Sequence, residues 1–525
     1  MFAKFKPAIL VTLVLSLPLS LNAIAPAKAM TKTVSASTCG WDSSSGWVQR
    51  ENLLSGTPSW ANGIALEYSG DYGAPEKLSA GQTFSAKSVD GWLDAASAKC
   101  GDVIGLHLTG NGKPIKVKVF RMGYYKGAGA RLIQTFTTQP IPLLKFQVSP
   151  APKSTVTTNW PVAWNFKVTN ATKPGQYLFR LDDGGSDASF VPLTILNPQA
   201  KSDITLVSSV LTWQSYNQWG GYSLYKGPNR LRATKANIVS FKRPYDGAGD
   251  GQFRYMEYPL LKLAEQLGLN MNYITDLELN KDASSLANTS SIILGGHAEY
   301  WTTQMRTSLQ SALDRGVNLV SFGGNELYNR PRYVSSTREV IMWRGSTSDP
   351  ARSDPIWATT VWRSPPINQP ESLLLGTQYV GLGVDGNYLI VHPDRWPFNT
   401  ERHPNMLANI VGREVDSPLY APGPAVETLA SAQIIFNGKK VTTMATYYTN
   451  ASGAGIVGIG TNGWTCAIDN ICPWHPNISK DTQTDSKLVT IQILKGLAKG
   501  PLAKWRPAIT NVPARTKSIA ISSLP

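Results

Sequence analysis

The period of the apolar residues changes near residue 200, and that change sets what this chain can fold into. Up to about residue 198, apolar and polar residues alternate in short runs, as in Ile115-Lys116-Val117-Lys118-Val119-Phe120. Turns rich in Gly and Pro separate the runs. Gly110-Asn111-Gly112-Lys113-Pro114 leads into that one, and Pro174-Gly175 leads into Gln176-Tyr177-Leu178-Phe179-Arg180-Leu181. Period two with frequent turns predicts a β-sandwich. From Ser202 onward, apolar strand-like runs alternate with helical spacing. Ile204 to Val210 reads as a buried strand. Met256, Leu260, Leu263 and Leu267 then fall three and four residues apart in a helical stretch over 253–267. Pro259 suits a first turn, so the helix proper begins near Tyr258, and Gly268 ends it. Strands at 272–274 and 291–294, a helix over 303–314 closed by Gly316, and a strand over 317–322 continue the alternation. Such alternation predicts a parallel sheet covered on both faces. The expected fold class is therefore α/β plus all-β: a sandwich over 30–200, a parallel-sheet α/β domain over 201–500, and a polar, frayed tail over 501–525.

The first 29 residues read as a secretory signal peptide. Lys4 and Lys6 form a positive start, Ala8 to Ala25 is uncharged, and Ala27-Lys28-Ala29 offers a small-x-small cleavage site. No later segment has the length of apolar sequence that a second span would need, so the mature chain is expected to be exported and soluble. The four cysteines agree, with Cys39 and Cys100 pairing in the β region and Cys466 and Cys472 forming a local pair. The formal charge is +15, of which Lys4, Lys6 and Lys28 supply three, leaving +12 after cleavage. That excess favours anionic surfaces such as cell-wall polymers, but the basic residues are scattered. Nucleic acid is not an expected partner, since no binding motif is present.

In an open parallel sheet, ligands bind beyond the carboxyl ends of the strands. Four such ends carry polar, aromatic or glycine-rich sequence: Trp213 to Gly221, Lys242 to Tyr245, Gly295 to Trp301, and Gly323 to Glu326. Singly, each has a structural explanation. The glycine pairs suit tight turns, and Glu299 before a helix suits its dipole. Together they mark a site. The chain has no GxSxG elbow, no HExxH, no Walker A sequence, and no cysteine at these ends. Serine hydrolase, zincin, P-loop and cysteine amidotransferase chemistries are thereby set aside. Gly381-Leu382-Gly383-Val384-Asp385-Gly386 matches GxGxxG, but a strand-like run follows it, so it reads as a hairpin turn.

The segments "SYNQWGGYSLY" at 215–225, "SFKRPY" at 240–245, "GGHAEYW" at 295–301 and "FGGNELY" at 322–328 resemble the N,N-dimethylformamidase large (beta) subunit family. "FRMGYYKGAGARL" at 120–132 resembles that family's preceding sandwich. The resemblance implies a glutamine-amidotransferase-like α/β domain and an amidohydrolase with one iron ion held by two tyrosines and a glutamate. Carried over by motif, Glu299 is the carboxylate ligand, and Tyr216 and Tyr245 are the best matches to the tyrosines. Tyr222, Tyr225 and Tyr258 stand as alternatives. His297 and Asn325 match neighbouring catalytic positions, and Glu414 in "VGREVD" is the candidate for a further acid. Ferric iron is hard and suits phenolate and carboxylate oxygen. The implied substrate is a small amide, and export argues for an extracellular one. The alternative is a cell-wall or glycan-binding protein on an inactive scaffold of the same kind.

Overall fold

The computed structural model describes residues 39, 41, 44–66, 88–185, 188–344, 349–472, 474 and 478–523. The signal segment expected at 1–29 lies outside them. The period-two region forms two sheets. Asp90–Leu93, Val103–Thr109 and Val162–Lys167 make a three-stranded antiparallel sheet. Ser97–Lys99, Ala188–Leu196, Gly175–Asp182, Pro114–Met122 and Ala130–Pro140 lie in that order in a five-stranded one. Leu106, Leu108, Val117, Val119, Phe179 and Leu181 fill the space between the sheets.

The five-stranded sheet is apolar on its other face too. Phe120, Leu178 and Phe190 point away from the sandwich core and join Leu206, Leu260 and Tyr273 of the following region in a second core. Both faces are buried, which is why runs such as Tyr177-Leu178-Phe179 break strict alternation. Cys39–Cys100 and Cys466–Cys472 are both disulfide-bonded, as the cysteine spacing suggested.

The second region departs from an all-parallel sheet. Met271–Thr275, Ile204–Ser208, Ser291–Leu294, Asn318–Ser321 and Gly455–Gly458 run parallel in that order. Four long strands, Lys439–Thr449, Glu427–Phe436, Gln378–Ile390 and Met406–Ser417, then continue the same nine-stranded sheet antiparallel. The helix–strand alternation that carried the parallel reading stops near residue 322, and the sheet changes character where that alternation ends. The last strand does not stay at a free edge. Val415 bridges Thr461, Asp416 N donates to Gly460 O at 3.0 Å, and Asn462 N donates to Glu414 O at 3.2 Å. The antiparallel half therefore curls back onto the end of the last parallel strand.

The GxGxxG segment makes that curl possible. It is not a hairpin turn but the middle of Gln378–Ile390, where the register shifts three times. Gly383 sits at φ +69°, a bulge conformation that a side chain would resist. The strand whose end carries Lys242 to Tyr245 exists as Ile238–Ser240, but it belongs to a separate small sheet with Glu339–Ile341 and Arg332–Val334.

Helix ends follow their signals. Thr302 Oγ1 accepts from Met305 N at 3.2 Å and starts Thr303–Asp314. Gly316 follows that helix in the left-handed region. The stretch over 253–267 is two helices, Phe253–Met256 and Tyr258–Gln266, broken at Glu257, with Pro259 in the first turn of the second. Residues after 500 are docked rather than frayed. Leu502 is fully buried, and Val512 and Arg515 bridge Val426 and Gly423. Among the described residues no helix is long and apolar enough to cross a membrane.

Candidate functional site

The glycine pairs place two loops in contact, which is a different task from turning the chain. None of Gly295, Gly296, Gly323 and Gly324 has a positive φ. A Cβ on Gly323 would lie 2.5 Å from Gly296 O, and one on Gly324 would lie 2.6 Å from Glu414 O. The ends of two adjacent parallel strands and of the curled-back antiparallel strand therefore meet at backbone distance. Asn325, at φ +62°, follows directly, and its N–H donates to Asp416 Oδ1 at 2.7 Å.

Around that meeting point the side chains converge on Glu299. Tyr216, at the end of helix Val210–Tyr216, and Tyr225, in the loop beyond it, both donate from their hydroxyls to Glu299 Oε2, each at 2.6 Å. Their rings stack with centroids 4.2 Å apart. Tyr300 donates to the Tyr225 hydroxyl at 3.0 Å. The other carboxylate oxygen, Oε1, accepts from Asn329 Nδ2 and faces Arg344 Nη2 at 3.9 Å. Arg344 also lies over the Tyr225 ring, 3.8 Å from its centroid.

His297 joins this group to a second carboxylate. Its Nε2 is 3.6 Å from Glu299 Oε2 and 3.1 Å from Glu414 Oε2, and its Nδ1 is fixed by Gln252 Oε1 at 2.8 Å. Glu414 accepts further bonds from Asn325 Nδ2 at 3.0 Å on Oε1 and from Asn462 Nδ2 at 2.9 Å on Oε2. All of these groups except Tyr225 and Arg344 are buried outright. Burial raises the Glu299 carboxyl; Arg344 works against that, and Glu414 adds to it. Burial likewise pushes the Tyr225 phenol well above its usual range, with Arg344 opposing and Glu299 reinforcing the rise.

Five of the six residues singled out in the sequence thus come together: Tyr216, His297, Glu299, Asn325 and Glu414. Tyr245 does not. It is half-buried near Trp213, with ring centroids 6.3 Å apart, and lines a separate small cavity with Trp92 and Arg338. Its strand belongs to the small sheet rather than the main one, which is why it misses the site. Tyr225, an alternative on sequence grounds, meets Tyr216 on Glu299 Oε2 instead.

Sequence reasoning missed Asn329, Arg344, Gln252 and Asn462. Asn462 was within reach of the strand-end rule, since Gly460-Thr461-Asn462-Gly463 follows the parallel strand Gly455–Gly458. Nothing local marks the other three.

Among the described residues no three His, Cys, Asp or Glu side chains are grouped as a metal site. A metal here would need phenol oxygens. Tyr216 Oη, Tyr225 Oη and Glu299 Oε2 supply three hard oxygen donors in one small volume, and that set fits iron(III).

No curated protein matches the chain. Among solved structures, a Paenibacillus cycloisomaltooligosaccharide glucanotransferase complexed with cycloisomaltoheptaose aligns with 7% identity and a TM-score of 0.15. The alignment covers 57% of this chain and 61% of that one, and at such a score it bears on neither fold nor function. The family model described as N,N-dimethylformamidase beta subunit-like, C-terminal, matches residues 116–478, well over half of the chain and the whole of the site. The chain belongs to that family.

Proposed function

We propose that the protein is an exported amidohydrolase that cleaves a non-peptide C–N bond with water, using one iron ion held by Tyr216, Tyr225 and Glu299. The observation that carries this reading is the meeting of two phenol oxygens on one carboxylate oxygen, with His297 and Glu414 within reach of the same point. Burial raises both the Glu299 carboxyl and the Tyr225 phenol, and a cation at their meeting point would favour their charged forms. When bound, the ion supplies a Lewis acid for the amide carbonyl and the attacking water.

The chain's own residues do the rest. Asn329 and Arg344 hold Glu299 through Oε1 and leave Oε2 to the phenols. Asn325, Asn462 and His297 orient Glu414, whose carboxylate takes the proton of the attacking water and returns it to the departing amine nitrogen. The products are a carboxylic acid and an amine. Export is supported by the signal-like segment and the two disulfides.

The test is direct. Protein expressed in iron-replete medium should hold about one iron per chain and absorb in the visible through tyrosinate-to-iron charge transfer. Glu299→Gln should abolish both while leaving the far-UV circular dichroism unchanged. Colourless, iron-free wild-type protein would overturn the proposal.

A further inference from the structure

A pocket of about 410 Å³ opens beside the Glu299 cluster. Its wall includes Asn329 and Arg344, the two side chains that approach Glu299 Oε1. The volume suits a small molecule rather than a polymer segment. The charge on that wall is one-sided. Arg232 and Arg344 line it, together with Tyr328, Trp343 and threonine hydroxyls, and no aspartate or glutamate among the described residues does. Asp349 sits nearby in sequence but is turned inward, accepting from Thr359 N and Thr359 Oγ1 at 2.7 Å each.

Arg232 is exposed and has no ion-pair partner among the described residues, whereas Arg344 is mostly covered. The two guanidiniums thus carry positive charge from the surface to the edge of the cluster. Lys235 adds to it. Burial first, and then the charges of Arg344 and Arg232, bring its ammonium down to about 8. Arg344 has Glu299 as a partner, but Arg232 brings a further charge to the same wall with no ion pair of its own among the described residues, and an arriving anion offsets it.

We infer that this pocket selects amides bearing a carboxylate, with Arg232 and Arg344 gripping the carboxylate while the amide lies at the Asn329 side of the pocket, next to the Glu299 cluster. Planar guanidiniums match a carboxylate in geometry as well as charge. The inference rests on the amidohydrolase reading for the amide group, but the anion preference stands on the pocket itself.

The experiment is calorimetric titration of the full mature chain with N-formylglycine and with N-(2-methoxyethyl)formamide, a neutral amide of similar length. Wild type and Arg232→Met are compared at low and high salt, and released amine is then assayed. N-formylglycine should bind about tenfold more tightly than the neutral amide. Arg232→Met and added salt should each remove most of that advantage, leaving the neutral amide's affinity unchanged. Equal affinities, no binding of N-formylglycine, or an equal loss for both ligands in Arg232→Met would overturn the inference. Selective binding of N-formylglycine without amine release upholds the anion preference and refutes the hydrolase. Turnover of both amides with equal affinity does the reverse.

Discussion

Replacing Glu265 by alanine should be among the most damaging single changes to this fold. Arg121, on strand Pro114–Met122 of the sandwich, and Glu265, on helix Tyr258–Gln266 of the following region, are both wholly buried. Arg121 Nη2 donates to Glu265 Oε1 at 2.8 Å, and Nη1 donates to Oε2 at 3.1 Å. The same carboxylate accepts from the Tyr273 hydroxyl at 2.5 Å and from Asn52 Nδ2 at 2.8 Å. Glu265→Ala removes the acceptor for all of these bonds and leaves a buried guanidinium without its counter-ion. Glu51, the other acid nearby, is committed to Arg131 and Tyr125. Breaking one side of a buried pair costs about 3–5 kcal/mol, and each stranded neutral donor adds on the order of 1 kcal/mol.

The assay is urea unfolding at pH 7 followed by tryptophan fluorescence, with Trp47 stacked 5.7 Å from the Arg121 guanidinium as a local reporter. With a slope near ~3 kcal/mol/M, the midpoint should fall by more than about 1 M. The double variant Arg121→Met, Glu265→Leu removes both charges together and should be more stable than Glu265→Ala alone. A loss below about 1 kcal/mol in Glu265→Ala, or a double variant equal to the sum of its singles, would refute this account of the junction.

Tyr225→Phe should abolish iron uptake, whereas Tyr245→Phe should leave it intact; metal analysis of the two purified variants decides which tyrosine belongs to the site. Burial raises Glu257 to about 8, against an unfolded value near ~4.3. The folded chain therefore keeps a proton that the unfolded chain releases, so this group's stabilisation is complete below ~pH 4 and is lost as pH rises to about 8. Glu257→Gln should flatten that part of the stability profile in thermal melts taken from pH 5 to 8.5. Gly323→Ala would press a methyl group 2.5 Å from Gly296 O; a loss of more than about 2 kcal/mol is expected, with iron uptake falling alongside. Reducing Cys39–Cys100, which spans 61 residues, should destabilise the chain by about 4 kcal/mol. Opening Cys466–Cys472, which spans 6, should cost about 2 kcal/mol, and single-pair Cys→Ser variants separate the two.

Local pattern carried much of the structure. Strands such as Pro114–Met122 and Gly175–Asp182 form where their apolar runs and flanking turns put them, although both faces of their sheet are buried. Helix Thr303–Asp314 has its expected limits, because its apolar stripe lies within it and its cap Thr302 and closing Gly316 lie close to its ends. The strand-end rule brought out Tyr216, His297, Glu299 and Asn325 because those ends are contiguous with the parallel strands. Tyr245 failed the same rule, since whether a short apolar run such as Ile238–Ser240 joins the main sheet or a minor one is settled by distant partners.

The sequence by itself determined the change of architecture near residue 200 and the segments "GGHAEYW" and "FGGN" by which the family is recognised, and it suggested the two cysteine pairs. Those features are written in periods and spacings of a few residues, so no knowledge of remote contacts is needed to read them. Only the tertiary structure decided that Glu414 reaches His297, that Tyr225 rather than Tyr245 faces Glu299, and that Arg344 and Asn329 close the cluster. The first of these depends on a curled antiparallel half-sheet, bent at the bulges around Gly383, that returns its last strand to Thr461, and the second on the small sheet that takes Ile238–Ser240. Such a curl is the summed result of many cross-strand contacts, and no single stretch of the chain encodes it.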